Sequence, residues 1–367
     1  MKVGIVGLPQ TGKTTLFNAL TRGQESTAPS GGARRDAAVA TVAVPDTRFD
    51  FAVELFHPKK QTQASIEFVD GAAPFGTGAD KATFGADFFE GLRKVDALVL
   101  VVRAFEADYP PAPEGGVRPG RDIQTVAEEM LLGDMALIET RLERIEKALR
   151  TRKAGAPSPE LQEREVLLKL QAHMDEGRPL RTLALNPDEV RVTRSFAFLT
   201  EKPLMVVANI GEGGIGNEDG DPLVQQGREV SEAEGLPLIA LCGKAEAEVA
   251  QLGPEEEKEF LEALGIESPA RDRLIRLAYD TLGLMSFFTV GEDEVRAWTV
   301  EKGATAGQSA GKIHSDLERY FIRAEVLEFP KLIEAGSWDA AKPLVHLEMK
   351  DFPVKDGDIL HIRAKKV

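Results

Sequence analysis

The first 105 residues alternate short apolar runs with amphipathic stretches. KVGIVGL at the start reads as a buried strand, TTLFNALTR as a helix and ASIEFVD as another strand. FFEGLRKV follows with helical spacing, and DALVLVVRAF is a continuous apolar run of the kind buried on both faces of a sheet. This alternation predicts an α/β domain, a parallel sheet covered by helices. Between the first helix and the next strand, QESTAPSGGARRDAAVA is small, polar and glycine-containing, and reads as a long loop.

The pattern then breaks at YPPAPEGGVRPGRD, a proline- and glycine-rich connector in which neither helix nor strand is expected. From Ile123 to Lys153 the apolar positions Ile123, Val126, Met130, Leu137, Leu142, Ile145 and Leu149 fall near one helical face. AGAPSP interrupts that face, and a helical pattern resumes from Leu161 to Met174. Two helices joined by a turn and packed antiparallel are the expectation. Strand and helix signals return with KPLMVVAN, DPLVQQGREVSEAEG, LPLIALC and EEEKEFLEALG, which should complete the first sheet. After RDRLIRLAYDTLGL the chain turns to strands and turns, SFFTV, EVRAWTV and DGDILHIRAKKV. The expected organisation is a discontinuous α/β domain of residues 1–122 and 203–282, a helical insertion of 123–202, and a small separate domain of 283–367.

Composition narrows the function classes. The 367 residues carry a net charge of -15, which argues against a general nucleic-acid coat but leaves room for a local basic contact. Arg144, Lys147, Arg150, Arg152 and Lys153 form such a cluster at the predicted tip of the helical hairpin. It reads either as a solvated helix end whose cations suit the helix dipole or as a contact surface. The one cysteine, Cys242, excludes an intrachain disulfide framework and favours a reducing compartment. No signal peptide or membrane span is expected, so the expected location is cytoplasmic. His57, His173, His314, His346 and His361 are scattered without zinc-ligand spacing. Trp298 reads as a packing residue.

GLPQTGKT, from Gly7 to Thr14, is the phosphate-loop pattern G-x-x-x-x-G-K-[ST], set between a strand and a helix. Glycines let successive backbone N–H groups turn toward phosphate oxygens, and the helix N-terminus adds partial positive charge. The candidate phosphate-binding residues are Gly7, Pro9, Gln10, Thr11, Gly12, Lys13, Thr14 and Thr15. Lys13 is the candidate partner of the β- and γ-phosphates, and Thr14 with Asp70, at the end of IEFVD, would hold Mg²⁺. For the base, VVANIGEGG offers Asn209, Ile210 and Glu212 where guanine-selective proteins carry Asn-Lys-x-Asp. With no lysine and a longer acid, strict guanine selection is not expected. Asn209 is one of four asparagines in the chain, which favours a site role over a turn former.

The phosphate-loop strand, FNAL, VPDTRFDFAVELFHPKK, IEFVD and VDALVLVVRAFE together resemble the Obg-like ATPase (YchF) family. So does FFTVGEDEVRAWTVEKGATAGQSAGKIHSDLERYFIRAEV, which looks like that family's TGS domain and is the most specific match in the chain. The likeness extends over nearly the whole sequence. It implies a P-loop NTPase G domain with an inserted antiparallel helical hairpin, plus a small C-terminal α+β TGS domain of β-grasp-like form. It also implies Mg²⁺-dependent binding of ATP, often in preference to GTP, K⁺ as a candidate further cation, and a ribosome or RNA partner contacted through the arm and TGS domain. For His314, in GKIHSD, it implies a structural or partner-contact role in the TGS domain.

Departures from the family pattern concentrate around the γ-phosphate. The family's phosphate loop usually reads Asn-Val-Gly-Lys-Ser, where this chain has Gln10, Thr11, Gly12, Lys13 and Thr14. Its switch II reads Asp-Ile-Ala-Gly-Leu, where this chain has Asp70, Gly71, Ala72, Ala73 and Pro74. A switch I threonine falls, counting back from Pro45, at Arg34; a loop histidine implicated in hydrolysis falls, counting from VVRAFE, at Ala112. The binding groups are kept and the groups that sense the γ-phosphate or position water are changed. A ribosome-associated purine-nucleotide switch with slow NTP hydrolysis is the expectation, and a hydrolysis-deficient, nucleotide-loaded binding module or scaffold for a ribosome or RNA partner is the alternative.

Overall fold

Burial on both faces explains the long apolar run: all eight residues of the strand Ala97–Ala104 are buried. The computed structural model describes residues 1–22, 38–70, 86–107, 111–113, 115–150, 159–264 and 268–365. In chain order its elements begin with β1 (Lys2–Val6), α1 (Lys13–Leu20), β2 (Ala38–Ala43), α2 (Thr47–Phe56), β3 (Lys60–Thr62), β4 (Ser65–Asp70), α3 (Ala86–Arg93) and β5 (Ala97–Ala104). Then come α4 (Pro119–Arg150), α5 (Pro159–Asp175), α6 (Pro187–Thr193), β6 (Leu204–Ile210), α7 (Pro222–Ala233), β7 (Leu238–Leu241), α8 (Gly243–Val249), α9 (Pro254–Leu264) and α10 (Ala270–Thr281). The chain ends with β8 (Leu284–Thr289), β9 (Glu294–Glu301), α11 (Ala306–Ile313), α12 (Ser315–Arg319), β10 (Phe321–Leu327), α13 (Phe329–Ala335), α14 (Trp338–Ala341), β11 (His346–Glu348) and β12 (Ile359–Ala364).

Two compact units divide the chain, residues 1–40 with 67–271, and residues 41–66 with 272–367. The first is built on a sheet of order β2-β4-β1-β5-β6-β7. Its β1 runs parallel to β4 and β5, and β6 parallel to β5 and β7. The register sets Ile5 beside Asp70 and Arg103 beside Asn209. Asp70, the loop after β1 and Asn209 therefore all lie at the carboxyl ends of parallel strands, where open α/β sheets bind ligands. Val6, Leu98, Leu100, Val206 and Ala208 are fully buried in the core beneath that edge, with Ile123 and Val126 of α4.

The α4–α5 hairpin has its own core of Ile138, Leu142, Ile145, Val166, Leu167 and Leu170. Arg141 bridges the two helices with a paired bond to Glu163, Nε to Oε1 at 2.6 Å and Nη2 to Oε2 at 2.8 Å. At its root Asp134 is fully buried, accepting from Arg93 Nη1 at 2.8 Å and from the Thr200 backbone N–H and hydroxyl at 2.8 and 2.9 Å. The helix begins at Pro119, inside the stretch expected to be connector. Proline at the first helical position lacks an N–H that would be unpaired in any case, so proline density there does not exclude a helix start.

The second unit carries a sheet of order β11-β10-β12-β8-β9-β3. Helix α11 contributes Ala306 to a core with Phe287, Val326 and Leu360. Residues 41–66, expected from sequence with the first domain, group here. The reasons are specific: β3 pairs in parallel with β9, Arg48 bonds Asp356 at 2.9 Å, and Phe51 meets Phe329 edge-on. Trp298 packs as expected, stacked on Phe287 with its Nε1 donating to Thr289 at 3.0 Å. His314 has a structural role, its Nδ1 accepting from the Asp316 N–H at the start of α12. Among the described residues no helix is long and apolar enough to cross a membrane.

Candidate functional site

The turn from β1 into α1 is shaped by two glycines that no other residue could replace without movement. Gly7 has φ +149°, and a Cβ there would lie 2.3 Å from the Val101 carbonyl oxygen. Gly12 has φ +93°, and its Cβ would lie 2.1 Å from Asn209 Nδ2. Gln10 also takes a left-handed φ of 61°, without a glycine's freedom. Pro9 and Gln10 are exposed, while Thr11 is buried and its hydroxyl donates to the Leu8 carbonyl at 3.1 Å. Thr15, half-buried, follows in the first turn of α1.

Three groups of different chemistry converge at the head of α1. Lys13 Nζ reaches back over the loop and donates to the Leu8 carbonyl at 2.7 Å. The Thr14 hydroxyl donates to Asp70 Oδ2 at 3.2 Å, joining the loop to the end of β4. Burial pushes the Lys13 ammonium below the ordinary lysine range, with the Asp70 charge opposing. Burial likewise pushes the Asp70 carboxyl above its ordinary range, against the Thr14 hydrogen bond and the Lys13 charge. Burial thus works against the charged form of both groups and is only partly offset by their neighbours.

Among the described residues no group of three or more His, Cys, Asp or Glu side chains could hold a metal ion. One carboxylate and one hydroxyl are instead what Mg²⁺ uses when water and ligand phosphates fill its remaining positions. Thr14 and Asp70 are all-oxygen donors within hydrogen-bond distance of each other, and so fit that ion.

Across the loop, buried Asn209 spends both ends of its amide. Its Nδ2 donates to the Thr11 carbonyl at 2.9 Å, and its Oδ1 accepts from the Gly243 N–H at 2.9 Å. Ile210 is 2% exposed and its side chain belongs to the sheet core. Glu212, in a short turn after β6, is exposed and pairs with Lys244 Nζ at 3.1 Å. That bond raises the Lys244 ammonium above its ordinary range. Arg103, also buried, donates Nε to the Phe105 carbonyl and Nη1 to the Pro111 carbonyl, both at 3.0 Å. Its guanidinium lies 4.5 Å from the Phe105 ring centre, so it fixes the loop that holds Ala112.

The sequence-predicted residues of the phosphate loop, Asp70 and Asn209 come together; Glu212 stands on the rim, engaged by a residue not foreseen. Gly243 and Lys244, in LCGK, were missed because nothing local marks them. Arg34, Ala73, Pro74, Arg152 and Lys153 lie outside the described residues.

A parallel sheet with a glycine-shaped phosphate loop at the head of α1 and an acid on the neighbouring strand defines a P-loop NTPase of the G-domain type. The family profile described as 50S ribosome-binding GTPase matches residues 2–137. That of the YchF-type GTPase C-terminal domain, described as a protein of unknown function, matches residues 284–365. A Bacillus subtilis protein named ribosome-binding ATPase YchF is 39% identical over 99% of each chain. Its Escherichia coli O157:H7 namesake is 38% identical over 98% of each. The solved YchF GTPase of Schizosaccharomyces pombe aligns with a TM-score of 0.85 and 30% identity, covering 99% of this chain and 97% of that one. The chain belongs to the YchF family.

Proposed function

We propose that this protein is a Mg²⁺-dependent purine-nucleotide switch, binding ATP, GTP or both, that acts on the ribosome. The observation that carries the reading is the Lys13–Thr14–Asp70 cluster at the head of α1, with Thr14 and Asp70 joined at 3.2 Å. Lys13 would leave the Leu8 carbonyl for β- and γ-phosphate oxygens, a stronger acceptor for an ammonium. Thr14 and Asp70 would hold Mg²⁺, which neutralises phosphate charge when bound. Gly7, Gly12 and the loop between them would present backbone N–H groups, and Asn209, Ile210 and Glu212 would face the base. The ribosome enters because the relatives in Bacillus subtilis and Escherichia coli are named for binding it, and they match this chain along its whole length.

Hydrolysis is slow in this reading. Ala112 has no group to position or activate water, and Arg103 holds its loop by the neighbouring Pro111 carbonyl. That same observation favours a second reading, a nucleotide-loaded binding module with negligible turnover. Equilibrium binding of ATP and GTP with Mg²⁺, set beside single-turnover hydrolysis with and without K⁺ and ribosomes, tests both. Binding with slow turnover supports the switch, and binding with none under any condition supports the module. Failure to bind either nucleotide refutes both.

A further inference from the structure

We propose that Lys244 sets the base preference of the nucleotide site by holding Glu212, which disfavours guanine relative to what a free carboxylate there would select. The inference rests on the nucleotide reading above. Selection falls to Glu212 because its neighbours are committed elsewhere. Asn209 has both amide ends engaged, Nδ2 with the Thr11 carbonyl and Oδ1 with the Gly243 N–H. What remains to Asn209 is a second N–H, which the N7 acceptor common to both purines can take, and one lone pair on Oδ1, so most of its amide is spent on holding the loops. Ile210 has its side chain in the core.

A carboxylate is acceptor-only. It suits guanine, whose N1–H and N2 amine both donate, and suits adenine poorly, because beside the N6 amine adenine presents the N1 lone pair. Lys244 Nζ stands 3.1 Å from Glu212 Oε2. The chain puts it there through the residue before it, since Gly243 N–H is fixed to Asn209 Oδ1 and Lys244 follows directly. The ion pair occupies one carboxylate oxygen, reduces the negative field at the base edge and adds an ammonium donor. Guanine thereby loses a paired acceptor and adenine loses a repulsion. Both side chains are more than half exposed, at 65% and 56%, so a ligand can reach them and the fold does not depend on their bond.

Isothermal titration of Mg-ADP and Mg-GDP into the wild type, Lys244→Met, Lys244→Arg, Glu212→Gln and the Lys244→Met/Glu212→Gln double variant tests this. The expected result is a GDP-to-ADP affinity ratio about two- to fivefold higher in Lys244→Met, within what an exposed ion pair can contribute. The Arg variant keeps the wild-type ratio. In the Glu212→Gln background the Met substitution has no further effect. An unchanged ratio in Lys244→Met, or the same shift with Glu212 already replaced, overturns the inference and leaves the nucleotide reading standing. Failure of the wild type to bind either nucleotide overturns both.

Discussion

Asn209 donates its Nδ2 hydrogen to the Thr11 carbonyl across 2.9 Å, tying the end of β6 to the phosphate loop. Through Oδ1 the same side chain holds the Gly243 N–H at the start of α8. One asparagine therefore joins three loops at the sheet's carboxyl edge through the two ends of its amide. Asn209→Ala leaves a buried carbonyl and a buried N–H unpaired, at a cost of about 1–3 kcal/mol. We expect a lower unfolding midpoint without nucleotide and weaker binding of ATP and GTP alike, read by chemical denaturation and by titration. A selective loss of one nucleotide would instead mean that Asn209 reads the base directly.

Lys13→Ala removes a cation now resting on the Leu8 carbonyl at 2.7 Å. A charge-assisted phosphate contact contributes roughly 1.5–3 kcal/mol, so ATP affinity should fall about ten- to 150-fold. Titration of ATP with Mg²⁺ is the measurement, and an affinity within twofold of wild type contradicts the role.

Asp70 gives a pH dependence with a definite sign. Burial raises its carboxyl above the ordinary range, with Thr14 and Lys13 opposing. Between the unfolded and the raised folded value the native state holds more protons than the unfolded one, so stability falls as pH rises through that window. Above the folded value the charged carboxylate is a constant cost of folding without nucleotide. Asp70→Asn should therefore stabilise the nucleotide-free protein at neutral pH, with the gain shrinking as pH falls toward the ordinary carboxylate range. Nucleotide binding by the variant should lose most of its Mg²⁺ dependence. Thermal unfolding across pH and titration with EDTA check the two halves separately; a variant less stable at neutral pH would reverse the sign.

Features whose causes lie within a few residues were legible in the sequence. The phosphate loop carries its glycines, lysine and threonine in eight positions, and Asp70 ends a short strand whose Ile66 and Phe68 face the core. Asn209 was marked by its place after a strand, but its partners lie 198 and 34 residues away, and no periodicity reports a bond of that span. Lys244 acquires meaning only once β7 sets its loop beside Glu212. The grouping of residues 41–66 with the C-terminal strands escaped for a similar reason. Lys60–Thr62 is too short to show a strand period, and its partner is Glu294 to Arg296.

The basic arm end bears on the ribosome reading. Lys147 and Arg150 lie in the last turn of α4, where cations suit the helix dipole whether or not anything binds there. Charge reversal at Arg150, Arg152 and Lys153 separates these roles. If the cluster meets ribosomal phosphates, cosedimentation with ribosomes weakens and depends less steeply on salt. If it only solvates a helix end, cosedimentation and its salt slope stay as in the wild type.

The buried Asp134 at the root of the arm yields the largest stability effect we expect. Its carboxylate accepts from Arg93 and twice from Thr200 with no exposure to water. Arg93 also donates to the Ala197 carbonyl at 3.2 Å, so α3, α4 and the segment before β6 meet at this one acid. Removing one partner of a buried pair leaves the other charged and poorly solvated, which costs about 3–5 kcal/mol. Asp134→Ala should lower the unfolding free energy by that amount. Asp134→Asn keeps an acceptor for Thr200 and loses the charge opposite Arg93, so its loss should be smaller. Urea unfolding of both variants without nucleotide measures this, with the slope checked for change. A loss below about 1 kcal/mol for the alanine variant would place the pair with exposed ion pairs, whose contribution is of that size. It would mean that apolar packing alone, through Ile138, Leu142 and their neighbours, holds the arm in shape.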